Sequence, residues 1–299
     1  MKQIQRREFL TTVAAVTAGT CVLPRCGIGQ SGSSVKSTLN TAPPSKKPFS
    51  AFYAFDTAFW GHQGWGADKQ AKLLKELGYD GIGMSGLRDL ENRVAAFEKQ
   101  GLKVFNLYVG ANLGGKPVVS AELKKTFPLL KEHGIDLWMP LSGPKNMSEE
   151  AKVAALQELA DAAGEHDVRI VIYPHHGCLA PTASSALPLV KKAERKNLGL
   201  TINLCHELKA GNGRALPGIV KQCGPYITLV SINGADLDGN NWGALIQPLD
   251  RGDFDVPGLL KELQAVGYEG SIGLQCYGIR EAPEQHLKRS ISRWQEIAD

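Results

Sequence analysis

The sequence predicts a (β/α)8 barrel: one α/β domain of eight parallel strands, each followed by a helix. Three observations predict it. From residue 48 onward, short apolar runs rich in β-branched residues alternate with helical patterns. Successive runs are mostly about 25–35 residues apart, the length of one βα unit. Four runs stop abruptly in polar residues: Arg169-Ile-Val-Ile-Tyr-Pro-His-His-Gly177, Leu198-Gly-Leu-Thr-Ile-Asn-Leu-Cys-His206, Tyr226-Ile-Thr-Leu-Val-Ser-Ile-Asn-Gly234 and Ser271-Ile-Gly-Leu-Gln-Cys-Tyr277. Buried parallel strands read as continuous apolar runs, and in a barrel the chemistry sits where the strands end.

Taken in order, strands are expected near 49–55, 80–84, 103–108, 135–140, 169–173, 198–203, 226–232 and 271–275. Helical patterns lie between them at 68–77, 88–100, 121–133, 148–165, 184–195 and 256–266, and 283–297 closes the chain. Ser148 and Thr182 supply N-cap oxygens. Gly78, Gly101, Gly134 and Gly267 mark helix ends just before strands. Between the sixth and seventh runs only a short helix fits, and a polar loop of about 20 residues containing Ala235-Asp-Leu-Asp-Gly-Asn-Asn-Trp242 follows the seventh. Loops this long in a compact domain are usually functional, and a substrate-covering role is expected. A doubly wound sheet is the competing architecture. Gly81-Ile-Gly-Met-Ser-Gly86 matches a dinucleotide fingerprint only by letter, because its first two glycines fall inside a strand.

The N-terminus reads as an export signal. Arg6-Arg7-Glu8-Phe9-Leu10 is a twin-arginine box, and the uncharged stretch from Leu10 to Leu23 is shorter than the ~20 residues that span a bilayer. The expectation is a signal peptide over 1–26, a Gly/Ser/Thr/Pro/Lys tether over 27–47 and a barrel over 48–299, with the protein exported folded to the periplasm and no stable membrane span. Thr20 and Arg25 are poor residues before a lipidated cysteine, so Cys21 and Cys26 leave lipidation open. A net charge of +4, partly in the leader, with no basic patch between aromatics, argues against nucleic acid. The remaining cysteines, Cys178, Cys205, Cys223 and Cys276, have no CxxC spacing and read as small buried hydrophobes. No GxSxG elbow or Walker loop is present. Oligomeric state has no signature here.

Placed on the strand ends, the candidate catalytic residues are Tyr173, His175, His176 and His206. Candidate substrate contacts are Tyr53, Asp56, His62, Tyr108, Trp138, Asn233, Asp236 and Tyr277, with Asn106 also at the rim. Asn203 and Gln275 are barrel-end amides that need partners if buried. Aromatic faces cover C–H surfaces while amides and imidazoles pair with hydroxyls, so the expected ligand is a small carbohydrate or polyol. His133 and His166 sit at helix C-termini, and His286 reads as a solvated helix residue.

Over residues 48–297 the chain resembles the xylose-isomerase-like TIM barrels, the sugar phosphate isomerase/epimerase group. The likeness is strongest at Tyr173-Pro-His-His-Gly177, Asn203-Leu-Cys-His206 and Leu249-Asp-Arg-Gly-Asp-Phe-Asp255 through Gly267-Tyr-Glu-Gly270 to Gly273-Leu-Gln275. An exported, twin-arginine-tagged subgroup looks particularly similar. The resemblance implies sugar isomerase, epimerase or lyase chemistry by proton transfer beside a carbonyl. In metal-dependent members a Glu, an Asp, a His and a Glu on strands 5 to 8 hold the ion. The corresponding places here are near Tyr173 to His175, then Asn203, Ser231 and Gln275, so every carboxylate is replaced by a neutral group. A divalent ion (Mn, Mg or Zn) remains open as a weakly held cofactor on Asn203, Gln275 and His175. The alternative is a non-catalytic sugar-binding barrel that has lost the metal carboxylates.

Overall fold

Strands form at each of the eight apolar runs: β1 Ala51–Phe55, β2 Gly81–Ser85, β3 Lys103–Tyr108, β4 Asp136–Met139, β5 Ile170–Ile172, β6 Leu198–Asn203, β7 Ile227–Ile232 and β8 Ser271–Leu274. The computed structural model describes residues 48–298; the expected signal peptide and tether, 1–47, lie outside the described residues. Each strand pairs in parallel with its sequence neighbours, and β1 pairs with β8 (Ala51 opposite Ser271), which closes the barrel. Closure leaves no open sheet edge. Two residues after β3, Ala111–Asn112, pair with Leu141–Ser142 after β4 as a small extension on the rim.

Ten helices are defined among the described residues: α1 Ala67–Leu77, α2 Leu90–Glu98, α3 Ala121–His133, α4 Glu149–Gly164, α5 Ala183–Ala193, α6 Leu204–Lys209, α7 Leu216–Cys223, α8 Trp242–Leu245, α9 Val256–Ala265 and α10 Pro283–Ile297. The expected caps form. Ser148 Oγ accepts the Ala151 N–H at the start of α4, and Thr182 and Ser185 make a reciprocal capping box on α5. After α1 and α3 the chain reverses at Gly78 and Gly134, with φ of 88° and 59°, a left-handed conformation that a Cβ disfavours.

Two apolar layers result. The outer layer lies between strands and helices and includes Phe52 and Ala54 of β1. The alternate residues Tyr53 and Phe55 point inward and join Trp138, Val171, Tyr173 and Leu229 to fill the barrel. Tyr53 stacks on Phe105 at 4.4 Å between centroids, Phe55 lies 4.7 Å from Trp138, and Trp138 meets Tyr173 edge-on at 4.3 Å. Glycine on the facing strands leaves room for these rings. A Cβ on Gly273 would lie 2.7 Å from the Phe55 ring and 2.9 Å from Tyr53. The Trp138 indole N–H, which would otherwise be buried without a partner, donates to Thr201 Oγ1. This aromatic plug is the floor beneath the barrel mouth.

Three local expectations are corrected. Instead of one short helix between β6 and β7, β6 runs directly into α6, which carries His206, and α7 follows within the same connection. His286 is fully buried under α10, with Nε2 3.4 Å from the Ala58 carbonyl, because it falls on the inward face of that helix with Leu287 and Ser290. The segment after β7 is a folded unit. A bridge between Gly234 and Gln247 closes it, and α8 forms within it.

Candidate active site

The C-terminal ends of the strands surround a cavity of about 300 Å³. Its floor and inner wall are Phe55, Gly83, Asn106, Trp138 and Tyr173; Tyr108, His175, His206 and Gln275 rise around it. Trp242 and Ile246 close one side from the segment after β7, and Trp60 and Tyr277 stand at the rim.

Eight of the sequence candidates therefore border one cavity: Asn106, Tyr108, Trp138, Tyr173, His175, His206, Gln275 and Tyr277. The others are placed elsewhere. Tyr53 is in the plug beneath the floor, fully buried against Phe105. Asp56 accepts from the Ser85 N–H and hydroxyl, both at 2.7 Å, and pairs with Arg93 at 3.0 Å, which ties the end of β1 to β2 and α2. His62 lies in the loop after β1, outside the residues lining the cavity. Asn233 uses its amide N–H groups on the Gly234 and Leu245 carbonyls, pinning the turn after β7. Asp236 accepts from Gln247 at 2.9 Å in the same turn. His176 is exposed, but its backbone N–H reaches His206.

That backbone contact organises the two histidines. Pro174 turns the chain out of β5, so the backbone of His176 runs between the two rings. The His176 carbonyl lies 2.8 Å from His175 Nδ1, and its N–H donates to His206 Nδ1 at 3.1 Å. The hydrogen bonds assign opposite tautomers. His175 carries its proton on Nδ1 and leaves Nε2 as a free lone pair; His206 has Nδ1 occupied as an acceptor and carries its proton on Nε2. The rings are 4.3 Å apart between centroids. Burial, with His175 and His176 nearby, pushes the His206 pKa down to about 3, and burial also lowers that of His175. The pair is neutral at ordinary pH and presents one acceptor and one donor.

Tyr173 adds a phenol between them and the floor. Its hydroxyl receives the Gln275 amide N–H at 3.1 Å, and burial, with Cys205 nearby, raises its pKa well above the usual phenol value. It stays protonated and can donate to a bound oxygen.

The amides that stand where the resemblance implies carboxylates are already committed. Gln275 Oε1 accepts from the backbone N–H groups of Cys276 and Tyr277, at 3.0 and 2.9 Å, and from Thr57 at 3.3 Å. Asn203 Oδ1 accepts from Ser231 at 3.2 Å and Cys205 at 3.4 Å, while its Nδ2 donates to the Pro174 carbonyl at 3.1 Å. Among the described residues no cluster of three or more His, Cys, Asp or Glu is placed to hold an ion. Hydrogen-bonded amides without a carboxylate are a poor fit to a hard divalent cation. The amides at the ends of β6 and β8 bond to the Tyr173 hydroxyl and to the Pro174 carbonyl just before His175.

Sequence reasoning missed Trp60 altogether and gave Trp242 no role of its own. Trp60 and Tyr277 are the exposed large hydrophobic residues among those described, 51% and 52% accessible, and they meet edge-on at 6.1 Å on the rim. Exposed aromatic faces at a pocket mouth suit the C–H faces of a sugar ring. The available signal was an aromatic within the first βα connection, where loops carry function. Trp242 packs 5.2 Å from His206, and the Lys209 ammonium lies over it at 5.6 Å while donating to the Asn240 carbonyl.

Comparison with known proteins agrees with this architecture. An uncharacterized protein of Methanocaldococcus jannaschii is 26% identical over 149 residues, 49% of this chain and 49% of its own length. A 3-dehydroshikimate dehydratase of Pseudomonas aeruginosa is 32% identical over 180 residues, 56% of this chain and 28% of its own. The chain thus spans about half of the first relative and less of the second. Among solved structures, the 3-keto-D-glucoside 4-epimerase YcjR of E. coli superposes with a TM-score of 0.67 at 16% identity, over 82% of this chain and 99% of that one. The IolI protein with a bound zinc atom gives 0.66 at 17%, over 83% and 98%. At such identities the superpositions establish the fold. The family profile for the xylose isomerase-like TIM barrel matches residues 71–297, and the chain belongs to that family.

Proposed function

We propose that this protein is a carbohydrate-active enzyme that isomerises, epimerises or eliminates by moving a proton at a carbon next to a carbonyl. One observation carries the reading: the backbone of His176, through its carbonyl and its N–H, holds two neutral histidines in opposite tautomers at the mouth of an aromatic pocket. His175 Nε2 takes the proton from the carbon beside the carbonyl and becomes an imidazolium. As negative charge moves onto the carbonyl oxygen, the Nε2–H of His206 and the Tyr173 hydroxyl are donors available to it within the same cavity. Protonation of the opposite face by water gives an epimer, with the His175 proton passing to solvent; departure of a hydroxyl from the next carbon, protonated by the His175 imidazolium and leaving as water, gives the elimination product. Trp60, Tyr277 and Trp242 suit the apolar faces of a sugar, and family members named as a sugar epimerase and a dehydratase support this class of chemistry. The twin-arginine leader supports action outside the cytoplasm after export in a folded state.

A screen of ketoses, oxidised glycosides and cyclic keto-polyols, followed by solvent deuterium incorporation, tests the proposal. Turnover with carbon-bound deuterium is expected, and His175→Ala and His206→Ala should each lower it ~10²–10⁴-fold, the usual worth of a positioned acid or base. Full activity in both variants removes the acid and base from the reading. The missing carboxylates favour a second reading, a sugar-binding barrel without catalysis. Thermal stabilisation by a sugar without turnover of any would select it.

A further inference from the structure

The floor of the cavity holds an amide that nothing in the protein satisfies. Asn106 on β3 is fully buried, and both its side-chain nitrogen and its side-chain oxygen lack a hydrogen-bond partner. The other buried amides of the barrel differ. Asn203 and Gln275 are bonded through both ends, and Asn233 through its nitrogen to two carbonyls. β2 makes room for Asn106: a Cβ on Gly83 would lie 2.7 Å from Asn106 Oδ1 and 2.5 Å from the Phe55 ring. Asn106 borders the same cavity as His175, His206 and Tyr173. An unpaired buried amide is destabilising, and an apolar residue of similar shape would relieve that. Its place on a cavity wall says where the missing partner comes from.

We propose that Asn106 is a specificity residue that reads a polar edge offering an acceptor and a donor side by side, namely the carbonyl and adjacent hydroxyl of an α-hydroxyketone. The amide N–H donates to the carbonyl oxygen, and the amide oxygen accepts from the hydroxyl. A polyol's hydroxyl oxygen can accept from the same N–H, but it brings an O–H of its own that needs a further partner at this buried floor, so the ketone is preferred over its reduced form. The inference names the substrate class of the proposed proton-transfer reaction and rests on that reading for the carbonyl. Recognition by Asn106 is nonetheless a binding property, measurable without turnover.

Two measurements on the purified protein test it. Without ligand, Asn106→Leu, and the smaller Asn106→Val should Leu not fit, should melt ~2–6 °C higher than the wild type, because an unsatisfied polar group is removed. With ligand, 2-keto-myo-inositol, a cyclic α-hydroxyketone, should raise the wild-type melting temperature more than myo-inositol does. Both variants should lose that preference, while His175→Ala, which leaves Asn106 in place, should keep it. A lower melting temperature in both ligand-free variants would mean that the amide is satisfied within the protein, and would overturn the proposal. So would an undiminished ketone preference in the variants, or no ketone preference in the wild type. A preference that depends on Asn106, in a protein that turns over no substrate, would leave this inference standing and sink the catalytic one.

Discussion

Acidification offers a direct measure of how His206 is held. The unfolded chain titrates this imidazole near 6.5, whereas burial beside His175 and His176 holds it near 3 in the folded protein. Between those values the unfolded chain binds more protons, so stability rises with pH across the window. The contribution is fully present above about 6.5 and is lost as the pH falls toward 3. Between pH 7.5 and pH 5 the loss is RT ln(1 + 10^1.5), about 2 kcal/mol, and a folded value one unit higher leaves it nearly unchanged. For a domain of this size that corresponds to a fall of ~4–8 °C in melting temperature. His175 and His286 also have lowered values and push in the same direction, so the wild type alone does not isolate His206. His206→Gln does, since it removes the titrating ring and leaves the other groups. Thermal unfolding followed by circular dichroism at both pH values should show a drop smaller by ~4–8 °C in the variant. Equal drops in the two proteins, or a His206 ring seen by NMR to titrate near 6 in the folded state, would refute the argument.

Three further outcomes are expected. Chelation with EDTA should shift the melting temperature by less than about 2 °C, because the amide oxygens on β6 and β8 are occupied by protein donors; one Mn²⁺ per chain by metal analysis, lost in Asn203→Ala or Gln275→Ala, would reverse this. Gly273→Ala should destabilise the barrel by ~1–3 kcal/mol in urea unfolding, since its Cβ meets Phe55 and Tyr53 under 3 Å; an unchanged midpoint would mean that the plug is loosely packed. Replacing Arg6 and Arg7 by lysine should retain the protein in the cytoplasm on cell fractionation, and unchanged export would reject the twin-arginine reading.

Several features were legible in the sequence because they are local. The spans expected at 103–108 and 198–203 coincide with β3 and β6, since an apolar run bounded by a turn residue and a polar end has one natural strand register. Ser148 and Thr182 cap as expected because the capping oxygen and its N–H are three residues apart. Polar residues at strand ends marked the mouth of the barrel, because parallel closure sends all those ends to one side.

What tertiary structure decided was partnership. Asn203 and Gln275 looked like available ligands until Ser231, Thr57 and two backbone N–H groups occupied their oxygens. His286 looked solvated until α10 laid it against Ala58. Tyr53 alternates with residues of the outer layer, but how deep it lies depends on Phe105 and Gly273 from other strands. Tautomers cannot be read from His-His spacing, since they follow from where the His176 carbonyl and N–H point between β5 and α6. Sequence determines local conformation through contacts a few residues long. Whether a polar atom is satisfied depends on atoms tens to hundreds of residues away, and only the closed barrel brings them within hydrogen-bonding distance.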